Sequence, residues 1–151
     1  MAASGPGELI EIHERMNSLQ YIEILEEVLV PSVRALIIPE PEPIYVVMDN
    51  SSVHNAIIVR EWFEEHPDII RIEWPARSPD LNPIENLWGH ITNRWDGSNV
   101  KNKENLIGHA KLVWESLRPK RGEMNICERL VDSMPRRLGL LIDNNGSYSK
   151  Y

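Results

Sequence analysis

Apolar residues follow two different spacings in the first half of the chain, and these spacings predict the order of its strands and helices. Residues 44–48 form a continuous β-rich apolar run, and the largely apolar residues 69–74 suggest a second buried strand. Such runs are typical of strands buried on both faces of a sheet. Residues 56–65 lie between them with helical spacing. A strand, a helix and a strand in succession predict an α/β domain whose two central strands pair in parallel.

The segment before these strands predicts three further features. Residues 8–13 partly alternate between apolar and polar side chains after a Gly-Pro-Gly turn, which predicts a strand. Asn17 or Ser18 can cap a helix whose apolar positions recur every three or four residues. Pro31 should end or kink this helix, because proline lacks the N–H that a helix interior requires. The alternating prolines and glutamates of residues 39–43 predict a stiff connector.

The second half of the chain predicts helices. Residues 75–83 contain three prolines and form a predicted loop. A helix should run from residue 83 to about residue 95, and further helices over residues 104–117 and about 123–143. The apolar stripe of the first of these helices consists of Ile84, Leu87, Trp88, Ile91 and Trp95. We therefore interpret its two tryptophans as core residues and not as platforms for nucleic-acid bases.

Composition and charge narrow the class of protein. The 151 residues fit one globular domain, and Cys127 is the only cysteine, which excludes an internal disulfide framework and a cysteine-based zinc cluster. The apolar runs are too short to span a bilayer, and no secretory signal is expected. Residues 1–50 hold nine acidic and two basic side chains, whereas residues 51–151 hold 14 of each. No polybasic groove is predicted, so any contact with DNA should be local.

Two carboxylates occupy positions where chemistry is expected. Asp49 directly follows the first central strand, and Glu85 lies in the first turn of the helix after the second strand. Ligands of open α/β sheets bind at the carboxyl ends of the strands, so parallel pairing would bring both carboxylates to one edge. Carboxylate oxygens bind Mg²⁺, and two such ions about 3.5–4 Å apart can promote phosphodiester chemistry.

Each carboxylate also has a purely structural interpretation. Asp49 can open a turn by accepting hydrogen bonds from backbone amides two residues further on. Asn82, Pro83 and Glu85 stand at the N-cap, N1 and N3 positions of a capping box. Physical arguments alone favour capping over metal binding for Glu85. The two roles can coexist, because the helix dipole favours an ionised carboxylate in the first turn.

Two longer motifs contain these carboxylates. Residues 47–55 read Val-Met-Asp-Asn-Ser-Ser-Val-His-Asn, and residues 73–88 read Glu-Trp-Pro-Ala-Arg-Ser-Pro-Asp-Leu-Asn-Pro-Ile-Glu-Asn-Leu-Trp. Together they closely resemble the catalytic domain of Tc/mariner-type DDE transposases. The 35 residues between Asp49 and Glu85 match the spacing of that superfamily. The similarity extends from the Gly-Pro-Gly turn and the predicted helix after Asn17 to residues 132–138, which resemble the closing helices of the family.

The resemblance implies a fold, a site and a cofactor. Asp49 matches the second catalytic aspartate of the family and Glu85 its third acidic residue, and both would be ligands of Mg²⁺ or Mn²⁺. The implied fold is an incomplete RNase H-like (DDE integrase-type) domain that lacks its first two strands, so that no residue is assigned as the first aspartate. Residues 5–95 would contain the sheet and residues 104–143 the C-terminal helices of one partial domain over residues 1–151. No helix-turn-helix DNA-binding domain is expected.

Smaller features have two interpretations each. His54 lies five residues after Asp49 and would contact DNA or approach the metal, although a local hydrogen bond is the favoured alternative. Arg77 would reach a DNA phosphate, or would be a solvated loop residue. Asp80 is interpreted as a turn-former and not as a ligand.

Two functions from different classes follow. One is DNA transposition by metal-dependent strand cleavage and transfer, and the other is a non-catalytic, transposon-derived module that binds nucleic acid or protein. We expect this chain to be inactive, because two carboxylates do not complete a two-ion centre. By resemblance the partner is transposon-end DNA and the location is the nucleus. The open apolar edge of the strand at residues 44–48 should be covered by residues 8–13 or by a second copy of the chain in a homodimer.

Overall fold

The computed structural model of the chain describes residues 1–13, 15–36, 38–75, 78–120 and 122–144. These residues belong to two compact units. Ile10–Arg77 form what we call the strand unit, and Met1–Leu9 together with Ser78–Tyr151 form the helical unit. Among the helices described in either unit, none combines the length and the apolarity that crossing a bilayer requires.

The strand unit begins with a long helical segment. Helix α1 spans Ser18–Ile24, a π-helical turn spans Leu25–Leu29, and helix α2 spans Val30–Leu36. Asn17 is the N-cap, as predicted, and it forms a capping box with Gln20. The chain does not leave the helix at Pro31. The π turn ends two residues before Pro31, which fits the tendency of helices to accommodate proline through a local change of hydrogen-bond pattern.

Two parallel strands follow, as the sequence predicts. Strand β1 spans Ile44–Val47 and strand β2 spans Ile69–Ile72, and helix α3, Ile57–Glu65, connects them. The register pairs Ile44 with Ile69. One face of this two-stranded sheet packs against the helices in a core made of Tyr21, Leu25, Ile44, Met48, Val59, Trp62 and Ile69.

The prediction that both strands are buried on both faces is wrong. Tyr45 and Val47 of β1 are 59% and 42% exposed, and Ile70 and Ile72 of β2 are 38% and 41% exposed. The described helices of the strand unit cover only the face that carries Ile44 and Ile69. Successive side chains of each strand point to opposite faces, so the residues of the second face lie outside the core although they are apolar.

The strand predicted at residues 8–13 is also wrong, because the structure assigns no strand there and the described sheet contains β1 and β2 alone. Residues 7–9 contact helices of their own unit instead. Trp114 Nε1 donates to the Gly7 carbonyl at 2.8 Å, and the Arg118 guanidinium binds the Glu8 carboxylate at 3.1 Å. Leu9 packs on the core of the helical unit. Among the described residues, no part of the segment 8–13 therefore pairs with β1 as a strand.

The described part of the helical unit holds a 3₁₀ turn and four helices. The turn spans Pro79–Leu81, and the helices are α4 (Pro83–Asn93), α5 (Lys103–Ser116), α6 (Ile126–Asp132) and α7 (Met134–Asp143). The predicted single helix over 123–143 is thus two helices, which meet at Ser133 before a proline at the second position of α7. The buried core consists of Leu87, Ile91, Val113, Trp114, Leu117 and Cys127. Trp88 stacks on Trp114 but stays 40% exposed.

Candidate metal centre

Asp49 is the second residue after β1, and its position is set by a turn. The Ser51 amide donates to Asp49 Oδ1 at 3.1 Å, so the structural interpretation of Asp49 as a turn-former is confirmed. The side chain nevertheless stays 64% exposed. Turn formation therefore leaves this carboxylate accessible to a cation.

The Asp49 carboxylate is held in its ionised form. Desolvation raises the pKa of Asp49, but hydrogen bonds from Ser51 and His54 and the electrostatic interaction with His54 together outweigh it, and the pKa lies below its ordinary value. A carboxylate accepts about four hydrogen or ligand bonds. An ionised, exposed carboxylate with remaining acceptor capacity suits Mg²⁺ or Mn²⁺, which favour oxygen ligands.

His54 lies directly beside Asp49. Its Nδ1 is 2.7 Å from Asp49 Oδ1, and its ring contacts the ring of Tyr21 at a centroid distance of 4.4 Å. The His54 side chain is only 17% exposed. Tyr21 in turn donates its hydroxyl hydrogen to Met48 Sδ at 2.6 Å, and burial raises the pKa of Tyr21 to about 12. Tyr21 is therefore a neutral, buried support for the imidazole.

Strand β2 ties down the segment that carries Asp49 and His54. Arg71 donates to the His54 carbonyl at 3.1 Å and to Asn55 Oδ1 at 2.7 Å. Beyond the end of β2, the Trp74 carbonyl accepts from the Asn50 side chain at 2.9 Å. The segment after β1 is thus fixed at both ends by hydrogen bonds. Sequence analysis overlooked Arg71, although a charged residue inside a predicted fully buried strand was a signal that it could have used.

Glu85 lies in the first turn of α4 and its side chain is exposed. Asn82 caps this helix through a bond from the Ile84 amide at 3.3 Å, and Pro83 occupies the N1 position, as predicted. The second half of the predicted capping box does not form: in the part of the chain that the structure describes, the Glu85 carboxylate makes no bond to the Asn82 amide. Glu85 is consequently available as a ligand.

A buried arginine anchors the start of α4. Arg137 of α7 is 2% exposed. Its guanidinium donates to Asn86 Oδ1 at 2.9 Å and to the Asp80 carbonyl at 3.0 Å, while Nε donates to Ser133 Oγ at 2.8 Å. These bonds join the 3₁₀ turn and the residue after Glu85 to α7. Nothing in the sequence pattern distinguishes this arginine from its exposed neighbour.

The two carboxylates belong to different units, Asp49 to the strand unit and Glu85 to the helical unit. The prediction that they emerge at one edge of the sheet stays a prediction. Across the described ranges, no group of three or more histidine, cysteine, aspartate or glutamate side chains forms a metal cluster. Arg77, the other predicted DNA contact, lies outside the described residues.

Comparisons with known proteins identify the family. The sequence model of the DDE superfamily endonucleases matches residues 2–107. The Tc1 transposase of Caenorhabditis elegans is 36% identical over 103 residues, which are 68% of this chain and 36% of that protein. The Tcb2 transposase of Caenorhabditis briggsae is 32% identical over 144 residues, which are 95% of this chain and 49% of that protein. The chain thus spans half or less of the length of these curated relatives.

A solved structure agrees on the fold. The Mos1 mariner transposase in its paired end complex with Mn has a TM-score of 0.77 at 19% sequence identity, over 95% of this chain and 40% of that chain. At this identity the similarity shows the fold, which is α/β and RNase H-like. The family match over more than half of the chain, together with the identity to the Tc1 and Tcb2 transposases, shows that the chain belongs to the DDE superfamily endonucleases, as part of a Tc/mariner-type transposase catalytic domain.

Proposed function

We propose that this chain supplies Asp49 and Glu85 as two acidic metal ligands of a transposase catalytic domain that cleaves and joins DNA strands. The observation that carries the proposal is the family match over residues 2–107, which includes both carboxylates within their motifs. Two properties support it. Both side chains are exposed. Asp49 stays accessible although it forms a turn with Ser51, and Glu85 does not form the predicted capping-box bond.

The cation is Mg²⁺ or Mn²⁺, and when bound it supplies Lewis-acid activation of the phosphodiester and of the attacking oxygen. The residues of the chain prepare for it. Asp49 offers an ionised carboxylate that is fixed by Ser51 and His54. Glu85 stands in the first turn of α4, where the helix dipole stabilises a negative charge. The Mn present in the Mos1 paired end complex supports this choice of cation.

The proposed substrate is transposon-end DNA. This follows from the family, whose relatives are transposases, and from the paired end complex of Mos1. Arg77 is the proposed phosphate contact, because it lies in the loop before Glu85 within the family motif. The place of action would then be the nucleus, where the DNA is held.

For the 151-residue polypeptide by itself, we propose weak cation binding and no turnover. Asp49 and Glu85 are two carboxylates, and a two-ion centre requires a further carboxylate that bridges the ions. A second candidate function is a non-catalytic module that binds nucleic acid or protein, in which the Asp49 carboxylate serves only the turn that it forms with the Ser51 amide. The two functions differ in one testable respect, which is whether Glu85 matters for cation binding.

The test is a titration of the 151-residue chain with Mn²⁺, in which electron paramagnetic resonance measures the free and bound ion and thus the affinity. Asp49→Asn and Glu85→Gln should each weaken Mn²⁺ binding by on the order of tenfold or more, because each removes an anionic ligand of the ion. Asp80→Asn, an acidic residue that we interpret as a turn-former, is the matched control and should leave the affinity unchanged. Equal Mn²⁺ affinities for the wild type, Asp49→Asn and Glu85→Gln would overturn the proposed site.

A nicking assay tests the expectation of inactivity. Supercoiled plasmid that carries transposon terminal repeats is incubated with the chain and Mg²⁺ or Mn²⁺. We expect no nicked product above the level seen with Glu85→Gln. Nicking that disappears in Glu85→Gln would show that the polypeptide is an active enzyme and would disprove the non-catalytic alternative.

A further inference from the structure

The strand unit contains a second polar residue whose placement depends on Asp49. His54 directs Nδ1 to Asp49 Oδ1 at 2.7 Å, and Nδ1 also lies 3.3 Å from the Asp49 carbonyl oxygen. Both neighbours of this nitrogen are acceptors, so the nitrogen carries the proton and donates it. The imidazole therefore holds the carboxylate at the end of β1 through the side chain and the backbone of the same residue.

His54 is itself held by one contact to its ring and by two hydrogen bonds to its backbone. The ring of Tyr21 contacts one face at 4.4 Å. The His54 amide donates to Ser51 Oγ at 3.3 Å, and the His54 carbonyl accepts from Arg71 at 3.1 Å. A side chain that is held in this way loses little further freedom when it binds its partner. Solvent-exposed local hydrogen bonds rarely have such support.

We propose that His54 is a positioning residue, which orients the Asp49 carboxylate for a divalent cation through the Nδ1–H···Oδ1 hydrogen bond. This inference rests on the proposed function of Asp49 as a metal ligand. Residues that orient a metal ligand through a hydrogen bond typically change the metal affinity 10- to 100-fold when they are removed. The inference gives His54 a role other than the direct DNA contact that the sequence suggested, since Nδ1 is engaged and the ring is largely covered.

Three substitutions distinguish the effect of the Nδ1–H donor from the effect of the aromatic ring of His54. In asparagine the amide nitrogen is attached to Cγ, as Nδ1 is in histidine, so His54→Asn keeps a donor near the position of Nδ1. His54→Gln places its amide nitrogen one bond further out, and His54→Phe keeps an aromatic ring against Tyr21 without any donor. If His54 acts by positioning Asp49, His54→Asn should retain Mn²⁺ affinity within about threefold, whereas the glutamine and phenylalanine variants should lose 10- to 100-fold.

The experiment has a readout that needs no metal. In the metal-free full chain, ¹⁵N NMR of the His54 imidazole should show a proton on Nδ1, and the Asp49 carboxyl ¹³C resonance should shift in His54→Phe but stay close to wild type in His54→Asn. Backbone amide spectra of each variant establish that it is folded. An Nδ1 that carries no proton would overturn the inference, and so would an Asp49 resonance that is the same in all variants.

The outcomes distinguish this inference from the proposed function. If wild type and Asp49→Asn bind Mn²⁺ equally, the proposed metal site fails, and the NMR measurements still decide whether His54 orients Asp49. If Asp49→Asn weakens Mn²⁺ binding but His54→Gln and His54→Phe do not, the metal site stands and the positioning role is disproved. A loss of affinity in these two variants, with retention in His54→Asn, supports both.

Discussion

At the residue scale, the helical unit depends on a charge inside its core. Arg137 is 2% exposed, and its guanidinium donates to acceptors on the 3₁₀ turn and on α4. A buried cation is tolerated only when its donors are satisfied. Because Asn86 follows Glu85 directly, the same bonds that satisfy Arg137 also fix the first turn of α4. Arg137 therefore contributes both to the stability of the helical unit and to the placement of the candidate ligand Glu85.

Replacement of Arg137 should be far more costly than replacement of its neighbour. Arg137→Met removes the donors to Asn86 Oδ1, the Asp80 carbonyl and Ser133 Oγ and leaves these part-buried acceptors without that partner. We expect the free energy of unfolding to fall by about 3 kcal/mol. Arg136→Met, at the exposed adjacent position, should cost less than about 1 kcal/mol. Urea denaturation followed by tryptophan fluorescence measures both, and similar losses for the two variants would contradict the role of Arg137.

The sequence was sufficient to locate the candidate ligands but not their surroundings. Asp49 and Glu85 could be located from sequence because turn chemistry, strand ends and helix starts are local properties. The capping-box half of the Glu85 prediction was wrong, since the Asn82 amide that would donate to Glu85 donates to the Pro79 carbonyl instead. His54, Tyr21 and Arg71 meet only after folding, because they come from separate elements of the strand unit.

At the element scale, asparagine side chains define the helix starts. Four helices are N-capped in this way, by Asn17, Asn82, Asn102 and Asn125. The Asn17 side chain accepts from the Leu19 and Gln20 amides, both at 3.0 Å, and the Gln20 side chain accepts from the Asn17 amide at 3.0 Å. Such local signals explain why the starts of α1, α4 and α5 were predicted within a residue, whereas the start predicted at about residue 123 lies three residues before α6. Where two helices meet without a loop, as at Ser133, periodicity alone does not separate them.

Loss of the cap on α1 should destabilise the strand unit measurably. Asn17→Ala removes both acceptor bonds and frees Gln20 from the capping box, which should lower the free energy of unfolding by about 1 kcal/mol. Ser18→Ala, one residue later, leaves these bonds in place and serves as the control. Chemical denaturation of both variants gives the comparison. A loss from Asn17→Ala no larger than that from Ser18→Ala would show that the cap contributes nothing to stability.

At the scale of the whole molecule, the second face of the two-stranded sheet is an exposed apolar surface. The register pairs Tyr45 with Ile70 and Val47 with Ile72, and all four side chains are more than a third exposed. Within the described residues β1 has no strand partner on its other edge. Periodicity could not reveal this, because a run of apolar residues has the same pattern whether its second face is covered or open. An apolar face beside an unpaired edge favours association.

We expect the 151-residue chain to self-associate through this face. The sequence suggested a homodimer at the neighbouring open edge of β1, as the alternative to a covering strand at residues 8–13, and within the described residues that strand does not form. Size-exclusion chromatography with multi-angle light scattering should give a mass that rises with concentration. Val47→Lys replaces one member of the Val47–Ile72 pair with a charged side chain. It should weaken association by at least about tenfold, because desolvating an unpaired ammonium opposes docking. Glu61→Lys, at an exposed position on α3, also replaces a side chain with lysine and should leave association unchanged.

A wild-type mass that equals the monomer at every concentration would contradict this prediction. Equal weakening by both lysine substitutions would instead assign the association to net charge.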